Sequence, residues 1–401
     1  QAYASGRIQK ITPPLPEPVL AFSQAGYLPS QRKKAVLAFD PAASPRDPRF
    51  TIRRFPEDHV VLQGKFEPVP KSFWESREWT ADFSGVCEPG SYWIEASWRE
   101  GKETKKLRSS MFEIDPLLYR LRLIPSQLSF FHELRCGRRC HADSPVPGGY
   151  HDATGDWSAR MWSMPHVAYG LARYLEVDPD GSDDAREELA YAVDWCLKMQ
   201  GDNGEVWAGV VPPKETSDIQ VRPWEEKAGR TVQKTDSLGS RLSYVAGLAR
   251  AAKVLKTIDA PLGQKTLAAA VKSWVFTQKE IQQDPAKLGD TGDMGNWIWA
   301  NMQLFGATDD SPYLEEAKIW ATRQIERQHR KPGDVQDAAV CGDFFDSEKM
   351  EQFGRHQYKT FHQIGIYAGL IDLHAALPPS DPLWWPVHAA LERLVHGYFQ
   401  P

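Results

Sequence analysis

Hydrophobic positions recur along this chain with two different periods, and the change falls near residue 116. Before it, short apolar runs such as Ala35-Val36-Leu37-Ala38-Phe39, Phe50-Thr51-Ile52 and Val60-Val61-Leu62 are separated by Pro, Asp and Gly. Tyr92-Trp93-Ile94-Glu95-Ala96 follows the turn pair Pro89-Gly90. Short runs bounded by turn residues predict strands, and strands at this spacing predict a β-sandwich over residues 18–115. Residues 1–17 run into Pro13, Pro14, Pro16 and Pro18 with little apolar patterning, and they read as a tail.

After residue 116 the period is near 3.6. Leu117, Leu118, Leu121, Leu123, Leu128 and Phe131 suit a packed helix; Leu189, Val193, Cys196 and Leu197 form one apolar face, and Leu242, Val245, Leu248, Ala251 and Leu255 another. Stretches 161–176, 264–280, 291–306, 311–328, 360–375 and 381–398 follow the same rule. That makes about nine helical segments and no convincing strand run, so residues 116–401 are expected to be an all-α array of helical hairpins.

Composition narrows the class. A 41% hydrophobic and 25% charged chain is an ordinary globular protein, and a net charge of -5 gives no electrostatic case for nucleic acid or an anionic membrane. No apolar run approaches the roughly 18–20 residues of a membrane span. A start at Gln1 without a leader fits a mature exported protein, secreted or periplasmic, or a trimmed chain. Fifteen Trp is a rich count, and Trp157, Trp207, Trp224 and Trp297 stand beside Gly, Asp or Asn. Such rings either pack a core or line a groove for sugars, whose apolar faces match an indole.

The densest chemistry lies in residues 136–160, a Gly/Pro/Asp-rich loop between helical patterns. Asp152 and Asp156 bracket Gly155. Two carboxylates this close can hold a water and take its proton, as acetal hydrolysis requires; they can also cap the following helix. Cys136, Cys140, His141 and His151 offer two thiolates and two imidazoles, a set that suits a closed zinc site; a Cys136–Cys140 disulfide and buried thiols are the rival readings.

At these residues the chain resembles a known family. Gly148-Gly149-Tyr150-His151-Asp152-Ala153-Thr154-Gly155-Asp156 is similar to the Gly-Gly-Trp-His-Asp-Ala-Gly-Asp signature of glycoside hydrolase family 9. Phe22-Ser23-Gln24-Ala25-Gly26-Tyr27-Leu28-Pro29, Ala81-Asp82-Phe83-Ser84 and Pro89-Gly90-Ser91-Tyr92 resemble its immunoglobulin-like module, and Glu188 through Gln200 resembles its second barrel segment. The resemblance implies an immunoglobulin-like β-sandwich followed by an (α/α)6 barrel, incomplete at its C-terminal side, acting on a β-linked glycan with inversion. It makes Asp156 the general base and Asp152 the residue orienting the water. It also implies structural zinc on Cys136, Cys140, His141 and His151, and sugar contacts from Tyr150, Trp157, Trp207 and Trp297.

Two departures stand out. Thr154 is an extra residue inside the signature, which leaves open exchanged Asp roles or a substrate other than cellulose. No counterpart of the family's late general-acid Glu is visible, so that acid is expected beyond residue 401 and the chain without it inactive or feeble. Asp290, Asp293 and Asn296 form a polar loop that can line a groove, bind Ca2+ or cap a helix. Asp343, Asp346, Glu348 and Glu351 read as a solvated acidic surface, and His356 and His362 as ordinary polar groups. The rival functions are an exo-acting, glucosaminidase-like glycosidase and a non-catalytic carbohydrate-binding protein.

Overall fold

The computed structural model describes residues 17–70, 76–136, 144–151, 158–211, 229–329, 343–345 and 364–395. Asp152, Asp156, Trp157, Cys140, His141, Trp224, Asp346, Glu348, Glu351, His356 and His362 lie outside the described residues. The chain divides into two compact units, 1–127 and 128–401.

The first unit holds two antiparallel sheets. One runs β1-β2-β6-β5, from Val19–Ala21, Lys34–Phe39, Arg77–Asp82 and Glu67–Pro68; the other runs β4-β3-β7-β8, from His59–Lys65, Arg46–Phe55, Gly90–Glu100 and Glu103–Arg108. Strand β9, Phe112–Ile114, adds to β7. Alternation decides which side chains go inward. Ala35, Leu37 and Phe39 of β2 meet Phe50 and Ile52 of β3 and Tyr92, Ile94, Ala96 and Trp98 of β7 in one core. The sandwich expected from the period-two runs is therefore built from the positions that pattern selected.

The second unit is helical. After α1 (Ile124–Leu134), helices α2 to α9 span Met164–Val177, Asp183–Lys198, Leu238–Ile258, Ala260–Gln283, Thr291–Thr308, Ser311–Glu326, Ile364–Ala376 and Trp384–Arg393. Helix α2 packs on α4, α4 on α6 and α6 on α8; α3, α5, α7 and α9 lie against α2, α4, α6 and α8 in turn. Burial follows this division. Helix α7 buries one stripe, Tyr313, Ala317, Trp320, Ala321, Gln324 and Ile325, whereas α6 is buried without a break from Met294 to Leu304. A helix buried on all sides lies within the array, and a striped one at its margin. Helices α6 and α8 run parallel, since Gly295 meets Ile366, Trp299 meets Gly369 and Gln303 meets Asp372. A Cβ on Gly295 would sit 2.5 Å from the Ile366 Cα, so glycine permits this crossing.

One expectation is corrected here. The helical unit contains a three-stranded antiparallel sheet, β10-β11-β12, from Ala159–Arg160, Trp207–Val211 and Thr231–Asp236. Two-to-six-residue strands far apart in sequence give too short a period-two signal to stand out beside helices.

Candidate active site

The segment that enters Asp152 lies on one face of α3. Spaced three and four apart, Glu187, Glu188, Tyr191, Trp195 and Lys198 share that face. Lys198 Nζ donates to the Pro147 carbonyl at 3.3 Å. Gly148 and Gly149 adopt φ of 109° and 78°, and a Cβ on Gly149 would stand 2.8 Å from Trp195 Cε2. Both the left-handed backbone and the indole beneath it demand glycine there. Tyr191 Oη donates toward two carbonyls, Gly149 O at 3.0 Å and Cys136 O at 3.2 Å.

A short antiparallel bridge, Arg135 with Tyr150, closes the base of the loop, with Cys136 N donating to Gly149 O and His151 N to Leu134 O, each at 2.8 Å. Beneath it, the Tyr150 hydroxyl donates to a Glu188 carboxylate oxygen, and Arg135 donates to the other oxygen at 2.8 Å. Arg135 also meets Glu187 at 2.8 Å and covers the Tyr191 ring at 4.4 Å. Burial, and then the neighbouring Glu188 carboxylate, push the Tyr150 phenol far above its ordinary range. At neutral pH it is a protonated donor.

The far side of the loop is pinned as firmly. Ser158 and Ala159 are buried, Ala159 and Arg160 pair with Val210 and Gly209, and Met161 N donates to Ala208 O at 2.9 Å. The opposite face of this small sheet shows Arg160, whose guanidinium reaches Gln233 at 3.3 Å, and half-buried Trp207. Trp207 has its indole N–H on Glu205 at 3.1 Å and Lys234 4.8 Å above its ring.

Two ring assignments are corrected. Tyr150 is 2% exposed and Trp297 is fully buried, so neither offers a face to a sugar. Trp297 stacks on Trp274 at 5.9 Å and donates to Glu316 at 3.0 Å. Polar neighbours in sequence misled, because Asn296 is itself buried and accepts from Gly365 N at 3.2 Å. Asp290 caps α6 through Gly292 N at 2.7 Å, a helix-end role. Asp343 is fully buried and accepts from the Tyr367 hydroxyl at 3.2 Å, so it is no part of a solvated acidic surface.

For zinc, the bridge pairs Cys136 with Gly149 and His151 with Leu134, so the two residues lie diagonally across it; a thiol and an imidazole are donor types that zinc accepts. Among the described residues no group of three or more His, Cys, Asp or Glu is arranged to hold a metal.

Sequence reasoning missed Arg135, Glu188, Tyr191 and Trp195 as supports. Glu188, Tyr191 and Trp195 recur three and four apart on one helix, but which segment lies against that face is decided by the fold, and Arg135 stands before the loop with no such spacing.

The glycosyl hydrolase family 9 model matches residues 85–357, and a cellulase N-terminal ig-like domain model matches residues 16–100. The chain belongs to glycosyl hydrolase family 9. It is 24% identical over 371 residues to a cellodextrinase of Butyrivibrio fibrisolvens, covering 80% of this chain and 64% of that one. It is also 24% identical over 191 residues to endoglucanase 4 of Bacillus sp. strain KSM-522, covering 42% of this chain and 30% of that one. The chain thus spans less than two thirds of the length of these curated relatives. A metagenome-derived family 9 endoglucanase superposes with a TM-score of 0.62 at 20% identity, over 94% of this chain and 72% of that one. A thermostable endoglucanase of Alicyclobacillus acidocaldarius does so with 0.63 at 19%, over 94% and 70%. These structures share the fold: a β-rich N-terminal unit followed by a helical one.

Proposed function

We propose that this chain carries the water-activating half of an inverting glycoside hydrolase acting on β-linked glucan or its oligosaccharides, in the manner its relatives' names suggest. The observation that carries this reading is that the described residues before 152 and after 157 are both held in place. The Arg135–Tyr150 bridge holds the approach and strand β10 holds the exit, within the stretch the family model matches. Loop carboxylates need such a frame to keep a water in line with an anomeric carbon.

In this mechanism Asp152 orients the water and Asp156 takes its proton as the new oxygen–C1 bond forms. The C1–glycosidic oxygen bond breaks at the same time, and an acid on the opposite ring face protonates the leaving oxygen. Trp157 and Trp207 are the proposed sugar platforms. The inner series α2, α4, α6 and α8 with its partners α3, α5, α7 and α9 supports an (α/α)6 barrel. Cys136, Cys140, His141 and His151 would hold a structural zinc that ties down the loop base. Export from the cytoplasm fits this substrate.

A panel of β-linked gluco-oligosaccharides tests the reading, with product anomers followed by NMR. Inversion is expected, and Asp152→Asn and Asp156→Asn should each cost roughly 10²–10⁴ in rate. Net retention would exclude the water-attack roles, and binding without cleavage would leave a carbohydrate-binding protein. Elemental analysis should find about one zinc per chain in protein never exposed to chelator.

A further inference from the structure

We propose that Tyr191 is a positioning residue, which through its single hydroxyl sets the distance between the loop base and the chain entering Asp152. This rests on the proposed catalytic reading of that loop. The argument starts from what each contact on the α3 face can fix. Lys198 reaches Pro147 with a long, flexible stem, and its own ion pair with Asp194 competes for it. Trp195 sets how closely the glycines approach but, having only a ring surface toward them, leaves them free to slide along it. Glu188 fixes Tyr150, whose side chain points away from the loop into the buried Arg135–Glu188 pair.

Among the described residues of this face, Tyr191 touches the backbone of both strands of the bridge with its own side chain, whereas Glu188 spans them through the Tyr150 and Arg135 side chains. The Tyr191 hydroxyl lies 3.0 Å from Gly149 O and 3.2 Å from Cys136 O. The Gly149 carbonyl already accepts from Cys136 N at 2.8 Å. Removing the hydroxyl therefore leaves that carbonyl paired, while the Gly149 and Cys136 carbonyls lose the side-chain tie between them and the strands keep only their backbone hydrogen bonds. The ring itself is held independently, by Arg135 at 4.4 Å and by Tyr150 at 5.3 Å. A Phe at 191 keeps both contacts. This separation of ring from hydroxyl makes the role testable without dismantling the core.

A hydroxyl that only stabilised the fold would affect folding and leave the turnover of folded enzyme unchanged. One that positions the loop acts on kcat, because a displacement on the order of 1 Å at the reacting groups costs about 10²-fold. Substrate platforms elsewhere would keep KM.

The experiment compares wild type with Tyr191→Phe in steady-state kinetics on a soluble β-linked gluco-oligosaccharide, and in hydrogen exchange of the Cys136 and His151 amides. Expected are a fall in kcat of tenfold or more with KM within about twofold, tenfold faster exchange of both amides, and a melting point lower by no more than a few degrees. Gly149→Ala, which forces the same segment off Trp195 by another route, should lower kcat with the same unchanged KM. Unchanged kcat and exchange in Tyr191→Phe overturn the proposal, as does a loss of activity that merely follows the folded fraction. If the full-length protein, with the segment expected to carry the acid, cleaves nothing, the catalytic reading fails, and faster exchange in the variant still upholds the positioning of the segment by Tyr191.

Discussion

Gln303 donates its side-chain amide to Asp372 across 2.6 Å, joining the buried helix α6 to α8. The same amide's oxygen receives Arg250 of α4 at 3.3 Å, and Arg250 Nε reaches Glu176 of α2 at 2.8 Å. Four side chains thus link the four serially packed helices in one polar line. Charges balance along it apart from Asp372, whose direct partner is a neutral amide. Burial raises the Asp372 carboxyl above its usual range, opposed by the Gln303 bond and by Arg173.

A carboxyl raised in the folded state contributes stability at pH below its unfolded value, lost as pH rises through the folded one. Asp372→Asn keeps an acceptor for Gln303 and removes the desolvated charge. Its melting point at pH 7 should exceed wild type's by roughly 1–3 °C, and the gain should vanish near pH 3, where both states of Asp372 are protonated. A variant less stable at pH 7 would show that the charge is better compensated by Arg173 than burial suggests.

Much of this architecture was legible in the sequence, for a physical reason. Leu37 and Phe39, or Val245 and Leu248, declare their period because each faces one core along an uninterrupted element. The small sheet was hidden because Ala159–Arg160 contributes only two residues and pairs with Val210 and Gly209, about fifty positions away, while β12 joins on the other side of β11. At the site, the glycines and Asp152 and Asp156 could be singled out by type and order. Glu188 and Tyr191 could not, because their roles depend on which helix face the loop lies against. Trp297 illustrates the converse: polar neighbours suggested a groove, but in a helix buried on all sides Asn296 is as deeply placed as any leucine.

Glycine substitutions separate backbone strain from backbone entropy. Gly170 lies within α2, and a Cβ there meets nothing within 4 Å. Gly170→Ala should therefore raise stability by about 0.5–1 kcal/mol, the usual helix-interior gain. Gly149, with φ of 78° and Trp195 beneath it, should lose about 2–4 kcal/mol on the same change. Urea unfolding of both variants measures the contrast. Equal effects would contradict the close approach of the loop to α3.

The two described tryptophans expected to meet sugars should now behave oppositely. Trp297→Ala removes a fully buried ring stacked on Trp274 and leaves Glu316 without that donor. A loss of about 3–5 kcal/mol in stability is expected, with KM unchanged in whatever remains folded. Trp207→Ala on the small sheet should cost about 1 kcal/mol or less in folding. If the ring is a sugar platform, KM for oligosaccharides should rise about tenfold, equivalent to about 1.4 kcal/mol of lost binding. Isothermal titration with a non-hydrolysed oligosaccharide reads that term directly.

Among the described residues, Tyr27, Tyr92, Tyr150, Tyr169, Tyr244 and Tyr313 have phenols raised above their usual range, chiefly by burial. In each the folded state holds its proton where the unfolded chain releases it. Stability is therefore fully present below about pH 10 and falls as pH rises above it. Absorbance titration near 295 nm should show these six ionising above the usual phenol range. Tyr150→Phe isolates one of them. At pH 7 it should cost about 1–2 kcal/mol, since Glu188 loses a buried donor while keeping Arg135. Above pH 10 it should reduce the alkaline slope by one proton, about 1.4 kcal/mol per pH unit, so the two stability curves converge. Parallel curves would mean that Tyr150 reaches water in the folded chain and that the buried Tyr150–Glu188–Arg135 support does not persist in solution.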